Sequence, residues 1–130
     1  MAQVIALIYP WSMKDKEIIV PRFDDLGVRE RETVVVQVPR GIARWHYEQH
    51  AGRDFYERIV ADMMLKSVWV AQYEGDREEF TRLKLELRAS PPFPGLTSAD
   101  QHKNAVVHTS RDDTDFAKDL ITWGRFLNKV

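Results

Sequence analysis

Val4-Ile5-Ala6-Leu7-Ile8 is an unbroken apolar run that ends at Pro10. A strand with one wet face alternates apolar and polar residues, so a run without alternation fits a strand buried on both faces. We read it as the first and central strand. Working outward, Lys14 to Leu26 carries Ile18, Ile19, Phe23 and Leu26 at mixed three-to-five spacing. That spacing predicts a helix, with Pro21 inside it and Gly27 as a left-handed helix end. Thr33-Val34-Val35-Val36-Gln37-Val38 is rich in β-branched residues and stops at Pro39, which predicts a second strand lying beside the first.

From Ile42 to Leu65 apolar residues, among them Trp45, Phe55, Ile59 and Met63, recur near helical spacing. The interruption at Ala51-Gly52 makes this two consecutive helices. Ser67 to Tyr73 alternates toward a third strand that stops at Glu74-Gly75, and Arg77 to Leu87 reads as a charged amphipathic helix. Ser90-Pro91-Pro92-Phe93-Pro94-Gly95 predicts a long loop, because each proline removes a donor and fixes its own φ. Ala105-Val106-Val107-His108 supplies a fourth strand with His108 at its tip, and Asp112 or Asp113 starts a last helix reaching about Trp123. The order of elements is that of a split β-α-β sandwich, an α/β fold (α+β) with one four-stranded antiparallel sheet and helices on one face.

With 130 residues, 44% hydrophobic and 30% charged, the chain suits one folded domain spanning 1–130. Nineteen basic against twenty acidic side chains leave a net charge of -1, so no global field draws it to nucleic acid or an anionic membrane. Anion binding must be local. The absence of cysteine excludes disulfides, thiolate metal sites and a cysteine nucleophile, and makes cytoplasm the default compartment. No apolar run approaches the roughly 20 residues of a bilayer span, nor has the flanks of a secretory signal.

Taken singly, the chemically capable residues have bland readings. A histidine after an apolar strand is by default a surface residue, and Phe55 and Tyr56 on a helical stretch are by default core. Arg77, Arg82, Lys84 and Arg88, interleaved with Glu78, Glu79 and Glu86, make an ion-paired solvated face. His46 and His50, four apart, could share a metal on one helix face, but no glutamate motif accompanies them, and no metal ligands are assigned.

The combination says more. Ala105-Val106-Val107-His108-Thr109-Ser110, followed by an acidic helix ending near Trp123, resembles the N-I-I-H-G-S-D signature of nucleoside diphosphate kinases and the helix after it. His46-Tyr47 with Arg53-Asp54-Phe55-Tyr56 is similar to that family's H-Y-x-x-L-x-x-R-P-F-F, Tyr73-Glu74-Gly75 to its W-E-G, and Pro94-Gly95-Leu96-Thr97 to its P-G-T-I. The resemblance runs from about Val4 to Trp123. It implies a ferredoxin-like domain that moves a γ-phosphate between nucleotides through a phosphohistidine, with magnesium carried by the nucleotide phosphates. A neutral imidazole nitrogen can attack phosphorus when an acceptor holds the other nitrogen in one tautomer. The resemblance makes His108 the nucleophile and Asp119, where the family has a glutamate, that acceptor. It also implies Tyr47 near the phosphates, Phe55 and Ile59 clamping the base, and Arg82 and Asn104 as nucleotide-binding residues. A loop that builds trimers and hexamers in the family implies a homo-oligomer.

The chain also departs from the family. Tyr9-Pro10-Trp11-Ser12 stands where the family has K-P-D-G, Ser98 replaces an arginine, Thr109 a glycine, and Arg111 an aspartate. Lys14, Lys16, Arg88 and Lys103 lie in segments that could replace the lost cations. Trp11 either covers the site or packs beneath the first helix. These departures keep open a second reading, a catalytically weakened or inactive descendant that binds nucleotide or serves assembly. A third keeps His108 as a general base in another nucleotide reaction.

Overall fold

The apolar run becomes β1 (Ala2–Ile8), the inner strand of a sheet in the computed structural model, which describes residues 1–89 and 102–127. The chain turns through a 3-10 segment into α1 (Lys16–Asp24), then forms β2 (Gly27–Arg29), β3 (Val34–Gln37), α2 (Arg40–His46) and α3 (Tyr56–Met63). β4 (Ser67–Gly75), α4 (Arg77–Ala89), β5 (Val107–Thr109) and α5 (Asp113–Thr122) complete the order. The break at Ala51-Gly52 is real, and Gly52 takes the positive φ of 88° that favours glycine. The expected loop over 90–95, the P-G-T-I match over 94–97 and Ser98 lie outside the described residues.

All pairings are antiparallel. β1 pairs with β4 from Ala2↔Gly75 to Ile8↔Trp69, and on its other side with β5 from Ala6↔Thr109 to Ile8↔Val107. β2 and β3 follow one another along the far edge of β4, giving the order β2-β4-β1-β5 with β3 also on β4. The strand expected beside β1 is therefore one place removed from it, because β4 occupies that position. The sheet has five strands rather than four, since Gly27–Arg29 pairs as a short strand of its own. Gly27 is needed for close approach and not as a left-handed cap: a Cβ there would sit 2.6 Å from the Glu74 carbonyl oxygen.

Pleating sends successive β1 side chains to opposite faces. Val4, Ala6 and Ile8 join Trp69, Ala71 and Tyr73 under Ile19 and Phe23 of α1 and Phe80 and Leu83 of α4. Ile5 and Leu7 join Val68 and Val70 under Ala43 of α2, Ile59, Val60 and Met63 of α3, and Trp123 after α5. Helices therefore cover both faces, which corrects the one-face expectation; an apolar run without alternation requires it. The arrangement is the ferredoxin-like split β-α-β fold with added helices. No helix among the described residues is long and apolar enough to cross a membrane.

Candidate active site

The site lies where β5, α5 and the end of α2 meet on the second of these faces. β5 starts at Val107, later than expected, because the two preceding residues fasten the end of β1: the Trp11 indole N–H donates to the Ala105 carbonyl at 2.9 Å, and the Tyr9 N–H to the Val106 carbonyl at 3.3 Å. His108 stands opposite Leu7 in the ladder, which puts it on the face covered by α2, α3 and α5. Asp112 caps α5 by accepting the Asp115 N–H at 2.8 Å, and the i, i+3, i+7 spacing of Phe116, Asp119 and Trp123 turns these three inward.

His108 Nε2 is 2.8 Å from Asp119 Oδ2, and the carboxylate is only 5% exposed. The same oxygen accepts from the Ser110 hydroxyl at 2.9 Å. Ser110 is itself seated on β1, since its Oγ accepts the Ile5 N–H at 3.0 Å and its own N–H donates to the Ile5 carbonyl at 3.1 Å. A carboxylate accepts only, so Nε2 carries the proton and Nδ1 keeps its lone pair. Ser110, carried only as part of the signature match, thus orients the acceptor.

Beside His108 the His46 ring lies edge-on at 4.9 Å between centroids. The Trp123 indole N–H donates to His46 Nδ1 at 3.2 Å, and His46 Nε2 meets the Tyr9 hydroxyl at 2.9 Å. Both ring nitrogens of His46 are thus engaged within the protein. Burial, then the neighbouring His108 and Lys118, holds its pKa well below the usual histidine value. Tyr9 stacks on Tyr47 with 6.5 Å between ring centroids, and burial raises both phenols above their ordinary range. Trp11 does not pack beneath α1; it stacks on Tyr9 at 4.9 Å.

These groups border a cavity of about 340 Å³ that all four histidines of the chain line. Phe55, Ile59 and Tyr47 are on its wall. Four cations line it too: Lys84 and Arg88 from α4, Arg111 after β5, and Lys118 from α5. Lys84 is pushed down by burial and then by Arg111, the effect of crowding like charges in a half-buried space. Of the suggested replacements Lys14, Lys16, Arg88 and Lys103, Arg88 is on the wall. Arg82 is not: it pairs with Glu79 at 3.6 Å and borders a separate groove. That corrects its assignment, the reason being helical phase, since Lys84 and Arg88 are one turn apart and Arg82 faces elsewhere. Asn104 sits in a 3-10 turn over 102–104 and is not on the wall, which Ala105 reaches instead. Among the described residues no cluster of three or more histidine or acidic side chains could hold a metal.

Arg111, Lys118 and Lys84 were not singled out from the sequence as site cations, and their only signal was position: two cations within ten residues after His108 and one on α4 a turn before Arg88.

No protein-family model matches the chain. It is 28% identical over 116 residues to the nucleoside diphosphate kinase of Listeria monocytogenes, covering 86% of this chain and 76% of that protein. Its fold is similar to that of a nucleoside diphosphate kinase family protein from Babesia bovis, with a TM-score of 0.74 over 100% of this chain and 94% of the other at 18% identity. It is also similar to the nucleoside-diphosphate kinase of Borrelia burgdorferi, solved as a transition state mimic with vanadate and ADP bound, with a TM-score of 0.67 over 93% and 85% of the chains at 17% identity.

Proposed function

The chain is a divergent member of the nucleoside diphosphate kinase family, and from that premise we propose that it transfers the γ-phosphate of a nucleoside triphosphate to a nucleoside diphosphate through phospho-His108. One observation carries this reading: His108 Nε2 is held 2.8 Å from the buried Asp119 carboxylate, which leaves Nδ1 with its lone pair.

In the first half-reaction Nδ1 attacks the γ-phosphorus, the bond from phosphorus to the bridging β,γ-oxygen breaks, and the nucleoside diphosphate departs with those electrons. The Nε2 proton stays in place, and Asp119 stabilises the cationic ring that forms. In the second half-reaction a terminal oxygen of another nucleoside diphosphate attacks the same phosphorus and the N–P electrons return to Nδ1. Phosphoryl transfer is mostly positioning and charge neutralisation, so Lys84, Arg88, Arg111 and Lys118 replace the family's cations at new addresses. Magnesium carried by the nucleotide phosphates would add charge neutralisation beside these side chains. Phe55, with Arg53 at 5.9 Å over its ring, and Ile59 form an apolar stacking surface suited to any base. The resemblance extends the proposal to a cytoplasmic homo-oligomer, which sedimentation would check.

Incubation with γ-labelled ATP and magnesium is expected to give an acid-labile, base-stable phosphoenzyme, absent in His108→Asn. Failure to label with any of several nucleoside triphosphates would overturn the reading. The Tyr9 substitution favours a second one, a nucleotide-binding or assembly module without turnover. It would be adopted if nucleoside diphosphates bound in calorimetry and no phosphoenzyme formed.

A further inference from the structure

Resting on the reading of Phe55 as the platform for the base, we propose that His50 selects the base, favouring nucleotides whose base edge carries a carbonyl acceptor, guanine and uracil, over those whose edge carries an amino donor, adenine and cytosine.

His50 closes the 3-10 segment Glu48–His50 that joins α2 to α3. Counted from His46 in H-Y-x-x-L, it stands where the family has a leucine, so a side chain able to hydrogen-bond replaces one that cannot. Its backbone is fixed on both sides, the N–H donating to the Tyr47 carbonyl at 2.9 Å and the carbonyl accepting the Arg53 N–H at 3.0 Å. The ring is thereby kept beside the platform: its centroid lies 5.3 Å from that of Phe55 with 59° between the planes, and both residues line the cavity. Phe55 is 40% exposed, open enough to take a base on its face. A neighbouring ring tilted that far meets the rim of a stacked base, where the hydrogen-bonding groups are.

The partners of His50 decide which group it offers. Gln49 Nε2 approaches His50 Nε2 at 3.5 Å. An amide nitrogen only donates, so Nε2 accepts and a neutral ring carries its proton on Nδ1. Burial, then Arg53 and Lys118, lowers the pKa of His50, which keeps the ring neutral at pH 7. Nδ1 is buried and has no hydrogen-bond partner among the described residues. A buried donor left without an acceptor is costly, and a ligand that supplies one recovers that cost. At 3.5 Å the Gln49 contact is at the outer limit of a hydrogen bond and holds the ring weakly, so the ring can turn about Cβ–Cγ and carry the donor into the cavity. A carbonyl at the base rim accepts it; an amino group there sets donor against donor. Stacking on Phe55 is blind to this difference, since every base has a π-face.

Calorimetry with GDP, UDP, ADP and CDP, each with magnesium, isolates the base, because the phosphates are the same in all four and no turnover is needed. GDP should bind roughly fivefold tighter than ADP, and UDP than CDP, as for one neutral hydrogen bond. Both ratios should fall to near one in His50→Leu, which restores the family's residue and keeps an apolar contact with Phe55. Arg82→Gln, away from the cavity, should leave both ratios unchanged. Nitrogen-15 NMR needs no variant: in the wild-type protein His50 Nδ1 should carry the proton, and its resonance should move on addition of GDP but not of ADP. Equal affinities in the wild type, ratios that survive His50→Leu, or an Nδ1 resonance indifferent to GDP would overturn the proposal. If no phosphoenzyme forms while the ratios hold, the kinase reading fails and base selection stands; phosphorylation by all four triphosphates with ratios near one is the reverse.

Discussion

Asp119 is one methylene shorter than the glutamate the family places on this helix, yet it reaches His108 Nε2 at 2.8 Å. It does so while also accepting from Ser110, whose seat on Ile5 fixes the carboxylate from the sheet side. Asp119→Asn keeps the shape and removes the charge that, in the proposed mechanism, stabilises the phosphorylated imidazole. The expected result is a roughly 100-fold slower formation of phosphoenzyme in rapid-quench labelling, in the range for a positioned acid or base. Asp119→Glu retains a carboxylate and should lose less. His46 gives a stability prediction of opposite character. Its pKa is depressed in the folded chain, so the unfolded chain binds the proton more readily, and stability falls as pH drops below the ordinary value of about 6.5. Between pH 7.5 and 5.5 this amounts to about 1 kcal/mol. Urea unfolding at the two pH values should show that loss, and His46→Gln, whatever its overall stability, should show it reduced.

At the scale of elements, local chemistry set what could be read in advance. Val4 to Ile8 announced a two-sided strand, Thr33 to Val38 a β-branched one, and Asp112 the start of α5, since each signal lies within a few residues of its consequence. The partner of β3 was misplaced because strand pairing depends on residues about thirty positions apart, and Val34 to Gln37 fit the edge of β4 as well as any other edge by composition. Gly27 was misread for a related reason: only the approach of Glu74 from β4 makes a side chain there impossible. Two substitutions test these elements. Asp112→Ala removes the acceptor of the Asp115 N–H and should destabilise the protein by about 1 kcal/mol in thermal unfolding. Leu65 takes a positive φ of 63° between α3 and β4 while 63% exposed, so Leu65→Gly relieves a left-handed strain of roughly 1 kcal/mol with little apolar burial lost. It should raise the unfolding temperature, although most glycine substitutions lower it.

Over the whole molecule the net charge of -1 conceals an uneven distribution, with four cations around one cavity whose carboxylates are Asp119, bonded to His108, and Asp115, beside Arg111. His108 and its acceptor were legible because strand and helix carry them in the family's order. The cations were not, because which side chains of α4, α5 and the segment after β5 face one space is decided by how those elements pack. This distribution predicts that the folded chain binds polyphosphate by charge. A ligand that binds only the folded state adds about 2.7 kcal/mol at a hundred times its Kd, a rise in unfolding temperature on the order of 10 °C for a domain of this size. Inorganic tripolyphosphate in differential scanning fluorimetry should give such a shift and lose most of it as salt rises from 50 to about 500 mM, where the screening length falls well below 10 Å. Lys84→Gln with Arg111→Gln should shrink the shift, whereas Arg82→Gln, on the other phase of α4, should leave it intact. A shift indifferent to the first pair, or abolished by Arg82→Gln, would place the phosphate elsewhere on the protein.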